Sequence, residues 1–340
     1  MYPTQLQRVC DMYKKTILPI AGIAIMIASV TVKAQTVDYS VVSVNEEAGA
    51  NFTQVSTDND YVCMPQVVRK RDNIEWLSNR ILDVSKDGQK LAYLSFRGNS
   101  TNIFIKDINR MGGSIQRTNR QSVIDFSYSP DGKTICFSEM VSDVCRIFVT
   151  DANKGFICRQ ITNNDQDYTP VYSYDMSQIY FSRQEMQGLS VWSYNIKDNF
   201  LSNISKGMNP CPVNGENSLL CVRPSGDGRN EIWKINYETG IEECLVSDVN
   251  HSYTTPSVSP DGKWILFVGS SNLDGGGFIY KNTDIFVCRM DGSQLTQLTY
   301  HAADDLSPVW DNNGRYIYFI SQRGSSNATA NIWRMNFNLK

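Results

Sequence analysis

Pro256-Ser257-Val258-Ser259-Pro260-Asp261-Gly262-Lys263-Trp264-Ile265-Leu266-Phe267-Val268 decides how this chain folds. It reads as a short strand, a tight turn and a second strand. Asp-Gly tolerates the positive φ that hairpin turns require. The β-branched and aromatic run after it suits a pleated, packed surface. The unit recurs. Ser129-Pro130-Asp131-Gly132-Lys133 leads into Thr134-Ile135-Cys136-Phe137, and Ser85-Lys86-Asp87-Gly88 leads into Lys90-Leu91-Ala92-Tyr93. Asp311-Asn312-Asn313-Gly314-Arg315 leads into Tyr316-Ile317-Tyr318-Phe319. Two further copies keep the hydrophobic half: Asp175-Met176 before Ile179-Tyr180-Phe181, and Gly215-Glu216-Asn217 before Leu219-Leu220-Cys221.

With the turn residue as a marker, the copies stand at 87, 131, 175, 215, 261 and 313, at intervals of 44, 44, 40, 46 and 52. Each marker is followed by a third strand carrying an aromatic in register: Phe104, Phe148, Trp192, Trp233, Phe286 and Trp333. These six should be largely buried between blades. Five copies go on to a second turn and a fourth strand, as in Met290-Asp291-Gly292-Ser293 before Leu295-Thr296-Gln297-Leu298. Four strands per repeat of roughly 40–50 residues make an all-β, six-bladed β-propeller. The last copy runs out after Ile332-Trp333-Arg334, so its fourth strand has to come from the N-terminal side or an open edge is left. Fourth strands elsewhere lie roughly fifteen residues before the next marker, which favours Gln66-Val67-Val68-Arg69-Lys70 as donor, with Phe52-Thr53-Gln54-Val55 as its hairpin partner.

The S-P-D-G-K-x-I-x-F unit with its aromatic third strand resembles the repeats of TolB-like propellers. The same repeat occurs in the propeller domains of dipeptidyl peptidase IV-like and tricorn-like proteins. The resemblance covers nearly all of the chain after Asp83. It implies a propeller whose channel mouth or rim holds a protein segment or a cell-envelope component, glycans included. TolB carries an α/β domain ahead of its propeller, for which this length leaves no room. No stretch reads as the serine hydrolase domain of the peptidase relatives.

Residues 1–34 read as a secretory signal. Lys14 and Lys15 precede an apolar run from Thr16 to Val32, and Val32-Lys33-Ala34 offers small residues for cleavage. A membrane anchor is the other reading of the same run. Cleavage would leave 35–340 as one propeller, periplasmic or secreted, that does not span the membrane. It would remove four cations and one anion, taking the net charge from −3 to −6. An acidic chain with no basic stripe excludes nucleic acid as the expected partner. Export would permit disulfides. Cys136 with Cys145 and Cys211 with Cys221 each flank a turn, while buried strand positions equally suit free cysteines. No C-x-x-C is present. Arg69-Lys70-Arg71 is a short basic run with solvated charges, and Trp76 beyond it could cover one mouth of the channel.

The turns joining first to second and third to fourth strands share one face and are short, so that face reads as structural. The other face carries the longer loops, including Gly269–Asp284 with Gly275-Gly276-Gly277, and the blade-to-blade connections. Function usually sits on such loops. The connections supply the candidate ligand-binding residues Tyr168, His251, Tyr253, His301, Asp304 and Asp305. Asp165, Asp167, Asp304 and Asp305 could hold a hard cation such as calcium, but capping of loop backbone by these carboxylates is the favoured reading. No other cofactor is expected. Arg97, Arg183, Arg223 and Arg323 open second-to-third loops and should bridge to acids on a neighbouring blade. There is no G-x-S-x-G elbow and no H-E-x-x-H. Two histidines cannot supply the imidazole ligands of metal-dependent propeller lyases. A non-enzymatic binding propeller leads, and a carbohydrate- or peptide-active enzyme using carboxylates at the channel mouth is the alternative.

Overall fold

The computed structural model describes residues 37–339 apart from 66, 70–74, 78–79, 111–112, 165, 227 and 272–281. Strand β1 (Thr53–Gln54) and a hairpin of β2 (Val67–Arg69) with β3 (Glu75–Leu77) precede six antiparallel four-stranded sheets. Blade 1 is β4 (Leu82–Val84), β5 (Lys90–Arg97), β6 (Ser100–Asp107) and β7 (Ser114–Gln116). Blade 2 is β8 (Val123–Tyr128), β9 (Thr134–Val141), β10 (Val144–Asp151) and β11 (Cys158–Gln160). Blade 3 is β12 (Asp167–Tyr172), β13 (Gln178–Glu185), β14 (Gly188–Asn195) and β15 (Leu201–Lys206). Blade 4 is β16 (Met208–Pro212), β17 (Ser218–Pro224), β18 (Asn230–Asn236) and β19 (Glu242–Val246). Blade 5 is β20 (His251–Val258), β21 (Trp264–Ser271), β22 (Thr283–Arg289) and β23 (Thr296–Gln297). Blade 6 joins β24 (Asp305–Trp310), β25 (Tyr316–Ser321) and β26 (Asn331–Asn336) to β1.

The repeat is visible in hydrogen bonds as well as in strands. In every blade the residue after the third strand donates its N–H to the carbonyl beside the first turn. The pairs are Ile108 to Gln89, Ala152 to Lys133, Ile196 to Ser177, Tyr237 to Asn217, Met290 to Lys263 and Phe337 to Arg315. The first turns hold themselves: Ser85, Ser129, Ser173 and Ser259 each donate a hydroxyl hydrogen bond of 2.6 Å to the aspartate two residues on. The turn glycines Gly88, Gly132, Gly262 and Gly314 all have positive φ, as such turns demand.

The ring closes through β1, not through the expected Gln66–Lys70. Thr53 pairs with Arg334 and Gln54 with Trp333. Val55 N–H then reaches the Ile332 carbonyl at 2.8 Å. The spacing argument failed because the chain does not run straight from the closing strand into blade 1. It first crosses the inner part of that blade, where Val62 bridges Ser95 and Cys63 N–H donates to the Leu94 carbonyl. Val67–Arg69 pairs locally with Glu75–Leu77, not with Phe52–Val55. The side chain of Trp76 lies outside the described residues, as does most of the Gly269–Asp284 loop.

Two buried ion clusters fasten this N-terminal segment on either side of β1. Lys106, with no exposed side-chain surface, reaches Asp60 at 2.7 Å, and Tyr93 donates its hydroxyl to the same carboxylate at 3.0 Å. Arg323 holds Glu47 at 3.0 Å and also Asp305, all three with fully buried side chains. Its guanidinium lies 4.2 Å over the ring of Phe52, which meets Phe319 edge-on.

Arg183 and Arg223 pair with acids of their own blades, which corrects the expected inter-blade bridges, while Arg97 donates to the Asp60 carbonyl and Arg323 holds Glu47 besides Asp305. Arg183 meets Asp167 at 2.7 Å, and Arg223 meets Glu242 at 2.7 Å. Each also lies over its blade's third-strand aromatic: Arg183 over Trp192 at 4.4 Å, Arg223 over Trp233 at 4.8 Å, Arg97 over Phe104 at 4.2 Å. Arg120 covers Phe148 in the same way at 4.6 Å. The planar guanidinium prefers such faces. Phe104, Phe286 and Trp333 are therefore buried as expected, while Phe148, Trp192 and Trp233 are only half-buried beneath their arginines. Among the described residues every cysteine is a free thiol, and Cys136, Cys145, Cys211, Cys221 and Cys288 are buried.

Candidate functional site

First strands are sheet edges that line the central channel. An edge strand tolerates proline, whose missing N–H costs no ladder bond there. Four blades use this: Thr169-Pro170, Asn209-Pro210, Thr255-Pro256 and Ser307-Pro308 interrupt their first strands at a bulge. The residue before each proline is left-handed, with φ of 50°, 52°, 56° and 54°. That conformation strains a β-branched threonine. It is held from the neighbouring blade, since Thr169 N–H donates to Asp125 at 3.1 Å and Ile81 N–H to the Ser307 hydroxyl at 3.0 Å.

Beyond the bulges, toward the Asp-Gly turns, the channel opens into a bowl of about 430 Å³ to which all six first strands contribute. Val84, Tyr128, Tyr172, Pro212, Val258 and Trp310 occupy equivalent wall positions. Pro130, Pro260 and Tyr174 stand at the rim, and Tyr174 is 42% exposed. On the bulge side a separate space of only about 10 Å³ lies between Arg80 and the residues around Pro170, Pro210 and Pro256.

Arg80 borders both spaces. Burial pushes the pKa of the Cys211 thiol up, and the positive charge of Arg80 opposes the shift. The two carboxylates nearest the bowl are already engaged. Asp83 accepts from Val84 N–H at 2.9 Å and Tyr128 N–H at 2.8 Å. Burial raises its pKa against the pull of Arg80. Asp311 accepts from Arg315 N–H at 2.7 Å and Tyr316 N–H at 2.9 Å. Among the described residues no carboxylate lies within ion-pair distance of Arg80.

The residues singled out from the sequence occupy three separate blade boundaries. Tyr168 is buried among Ile124, Cys145, Met208 and Val222. His251 and Tyr253 come together: the rings stack at 5.9 Å, and Asp248 takes His251 Nδ1 at 2.6 Å and the Tyr253 hydroxyl at 3.1 Å. Tyr253 is fully buried, and His251 keeps 23% of its side chain exposed. His301, Asp304 and Asp305 form the third group. His301 is buried, its Nδ1 accepts from Ala303 N–H at 2.9 Å, and burial lowers its pKa. Asp304 accepts from Thr283 N–H and hydroxyl at 3.0 and 2.8 Å. Asp305 belongs to the Arg323–Glu47 closure cluster, and burial pushes its pKa up to about 6. Beside it Asp284 is pushed up to about 8, by burial and then by the Asp305 charge.

The carboxylates considered for a cation are mostly spoken for. Asp167 is bound by Arg183 and Asp305 by Arg323, while Asp165 lies outside the described residues. Among the described residues no group of three or more His, Cys, Asp or Glu side chains is arranged to hold a metal.

The bowl was not singled out from the sequence, although a signal was there. Counting seven back from each marker gives Arg80, Ile124, Tyr168, Met208, Thr254 and Leu306, a lone cation in an otherwise uncharged column.

Comparison with known proteins agrees with this architecture. The profile of PD40, the TolB beta propeller domain, matches residues 26–280. No curated protein matches the chain. Among solved structures, a TolB from Acinetobacter baumannii is similar at 16% identity and a TM-score of 0.56, over 74% of this chain and 64% of that one. The chain thus spans somewhat less than two thirds of that TolB. An oligogalacturonate lyase from Vibrio parahaemolyticus is similar at 11% identity and a TM-score of 0.56, over 88% of this chain and 96% of that one. At these identities the likeness is one of fold, which hosts both kinds of protein. Six turn-and-strand blades closed by an N-terminal strand, with the family profile matching across most of them, place this chain in the TolB β-propeller domain family.

Proposed function

We propose that this chain is an exported binding propeller that holds a segment of a partner protein in the bowl on its turn face. The bowl carries the reading. It is concave, walled by aromatic, proline and valine side chains, and it holds Arg80, which meets no carboxylate in an ion pair among the described residues. Such a pocket, apolar with a few convergent polar groups, is the usual form of a binding site. A second feature supports the same face. Phe156, Phe200 and Ile241 occupy equivalent places in the third-to-fourth turns of blades 2, 3 and 4, and each is more than half exposed. Exposed apolar residues repeated on one face favour a protein partner. Export rests on the Lys14-Lys15 and apolar N-terminal pattern, and the family resemblance favours an envelope partner. No helix of the described residues is long and apolar enough to cross a membrane.

The test is capture from envelope extract with immobilised protein. Tyr174→Ala with Lys86→Ala at the bowl rim should reduce capture several-fold, with the melting temperature nearly unchanged, because exposed residues contribute little to the core. His251→Ala with Asp304→Asn on the opposite face should leave capture intact. The reverse pattern would return the working surface to the blade connections.

One observation favours an enzymatic second reading. Asp248 fixes His251 through Nδ1, leaving Nε2 as the ring's other nitrogen on a partly exposed side chain, which is how a general base is held. Turnover of polygalacturonate or of a peptide by the purified chain, abolished in His251→Ala, would establish it.

A further inference from the structure

We infer that Arg80 is the receptor for the C-terminal carboxylate of a peptide whose last residues are apolar and enter the bowl end-on. The inference rests on the reading of the bowl as a peptide site. Three observations carry it. First, Arg80 borders the bowl of about 430 Å³ on its bulge side, and the separate space beyond it holds only about 10 Å³. A bowl with its charge on that side is reached by a chain end, since a passing segment would have to fold back on itself inside it. Second, Arg80 makes no ion pair among the described residues, and the buried Asp83 carboxylate acts on it only from a distance. Asp83 and Asp311 accept from backbone N–H groups, and the thiol whose upward pKa shift the Arg80 charge opposes is that of Cys211. A guanidinium offers a planar fork that matches a carboxylate, and that pairing strengthens away from bulk water. Third, the walls between rim and floor, Val84, Val171, Val258 and Trp310 among them, suit aliphatic or aromatic side chains of the last two or three residues.

The probes are two pools of N-terminally dye-labelled random hexapeptides, one with free C-terminal carboxylates and one amidated. Each is passed over the immobilised native chain, and the retained peptides are sequenced by mass spectrometry. The free-acid pool should be retained at least about tenfold more than the amide pool, with apolar residues enriched at the last two positions. Arg80→Gln should retain both pools alike, and Arg80→Lys, which keeps the charge without the fork, should keep part of the preference. The comparison of pools on the native chain needs no variant and stands even if a substitution unfolds the ring. Equal retention of both pools by the native chain would overturn the chain-end anchor and leave the bowl a peptide site. Enrichment of internal Asp or Glu from the amide pool would overturn it in favour of a side-chain carboxylate. Retention of neither pool would overturn the peptide reading of the bowl as well.

Discussion

Arg323→Met is the most informative single perturbation of the closure. The guanidinium touches Glu47 at 3.0 and 3.2 Å, the Val42 carbonyl at 3.1 Å, and Asp305. It thus joins the N-terminal segment to the first and second strands of blade 6. Methionine keeps the bulk of the stem but leaves two buried carboxylates facing each other. Removing one partner of a buried ion pair costs about 3–5 kcal/mol, because the other charge stays uncompensated. The lost cation–π contact with Phe52 adds about 1 kcal/mol. At roughly 2 °C per kcal/mol for a domain of this size, the melting temperature should fall by about 8–12 °C. The assay is urea unfolding and calorimetry at pH 7 and pH 5. The deficit should shrink at pH 5. Asp305 is already pushed up to about 6 with its partner present, and without it the carboxyl shifts further up. A carboxyl with a raised folded pKa binds its proton more tightly when folded, so the stability it contributes is lost as pH rises from its unfolded pKa through its folded one. A loss below about 1 kcal/mol, with no pH dependence, would show that this cluster does not hold the ring closed.

Val55→Pro removes the N–H that extends the closing ladder to Ile332 and should destabilise by about 2–3 kcal/mol, whereas Val68→Pro in the local hairpin should cost under about 1 kcal/mol. Paired urea melts separate the two, and the opposite order would reinstate Gln66–Lys70 as the closing strand. Asp284 is pushed up to about 8, so its carboxyl stays protonated in the folded state over a range where the unfolded chain has released the proton. Stability should therefore decline from about pH 4 to pH 8 on its account, and Asp284→Asn should flatten that part of the profile. An unchanged slope in the variant would remove Asp284 as its source.

The blades were legible because each repeat states its own local chemistry. Asp261-Gly262 specifies a turn, and Ile265-Leu266-Phe267 specifies a buried strand, without reference to anything distant. Closure was legible only as a need. Which segment meets it depends on Glu47 finding Arg323 and on Asp60 finding Lys106, contacts across more than 270 and more than 40 positions of sequence. The site was the least legible part. Tyr168, Tyr253 and Asp305 read from the sequence as connection residues but lie in first strands, and with His301 they read as exposed until the neighbouring blade covers them. The bowl is built from Val84, Tyr172, Pro212 and Trp310, one from each of four blades, and such residues read as ordinary core until the ring sets them around an axis. Loop polarity was a poor guide here because short edge strands, not loops, line the channel.

The central claim is that the partner sits on the turn face, and site-specific photo-crosslinking tests it most directly. A photoreactive phenylalanine analogue replaces Tyr174 at the bowl rim in one sample and Ala302, exposed in the connection between blades 5 and 6, in another. Both are irradiated in envelope extract and the adducts are resolved by mass. The account predicts one discrete adduct from position 174, none from position 302, and loss of the adduct when Arg80→Gln is added. A discrete adduct from position 302 with none from position 174 would contradict it.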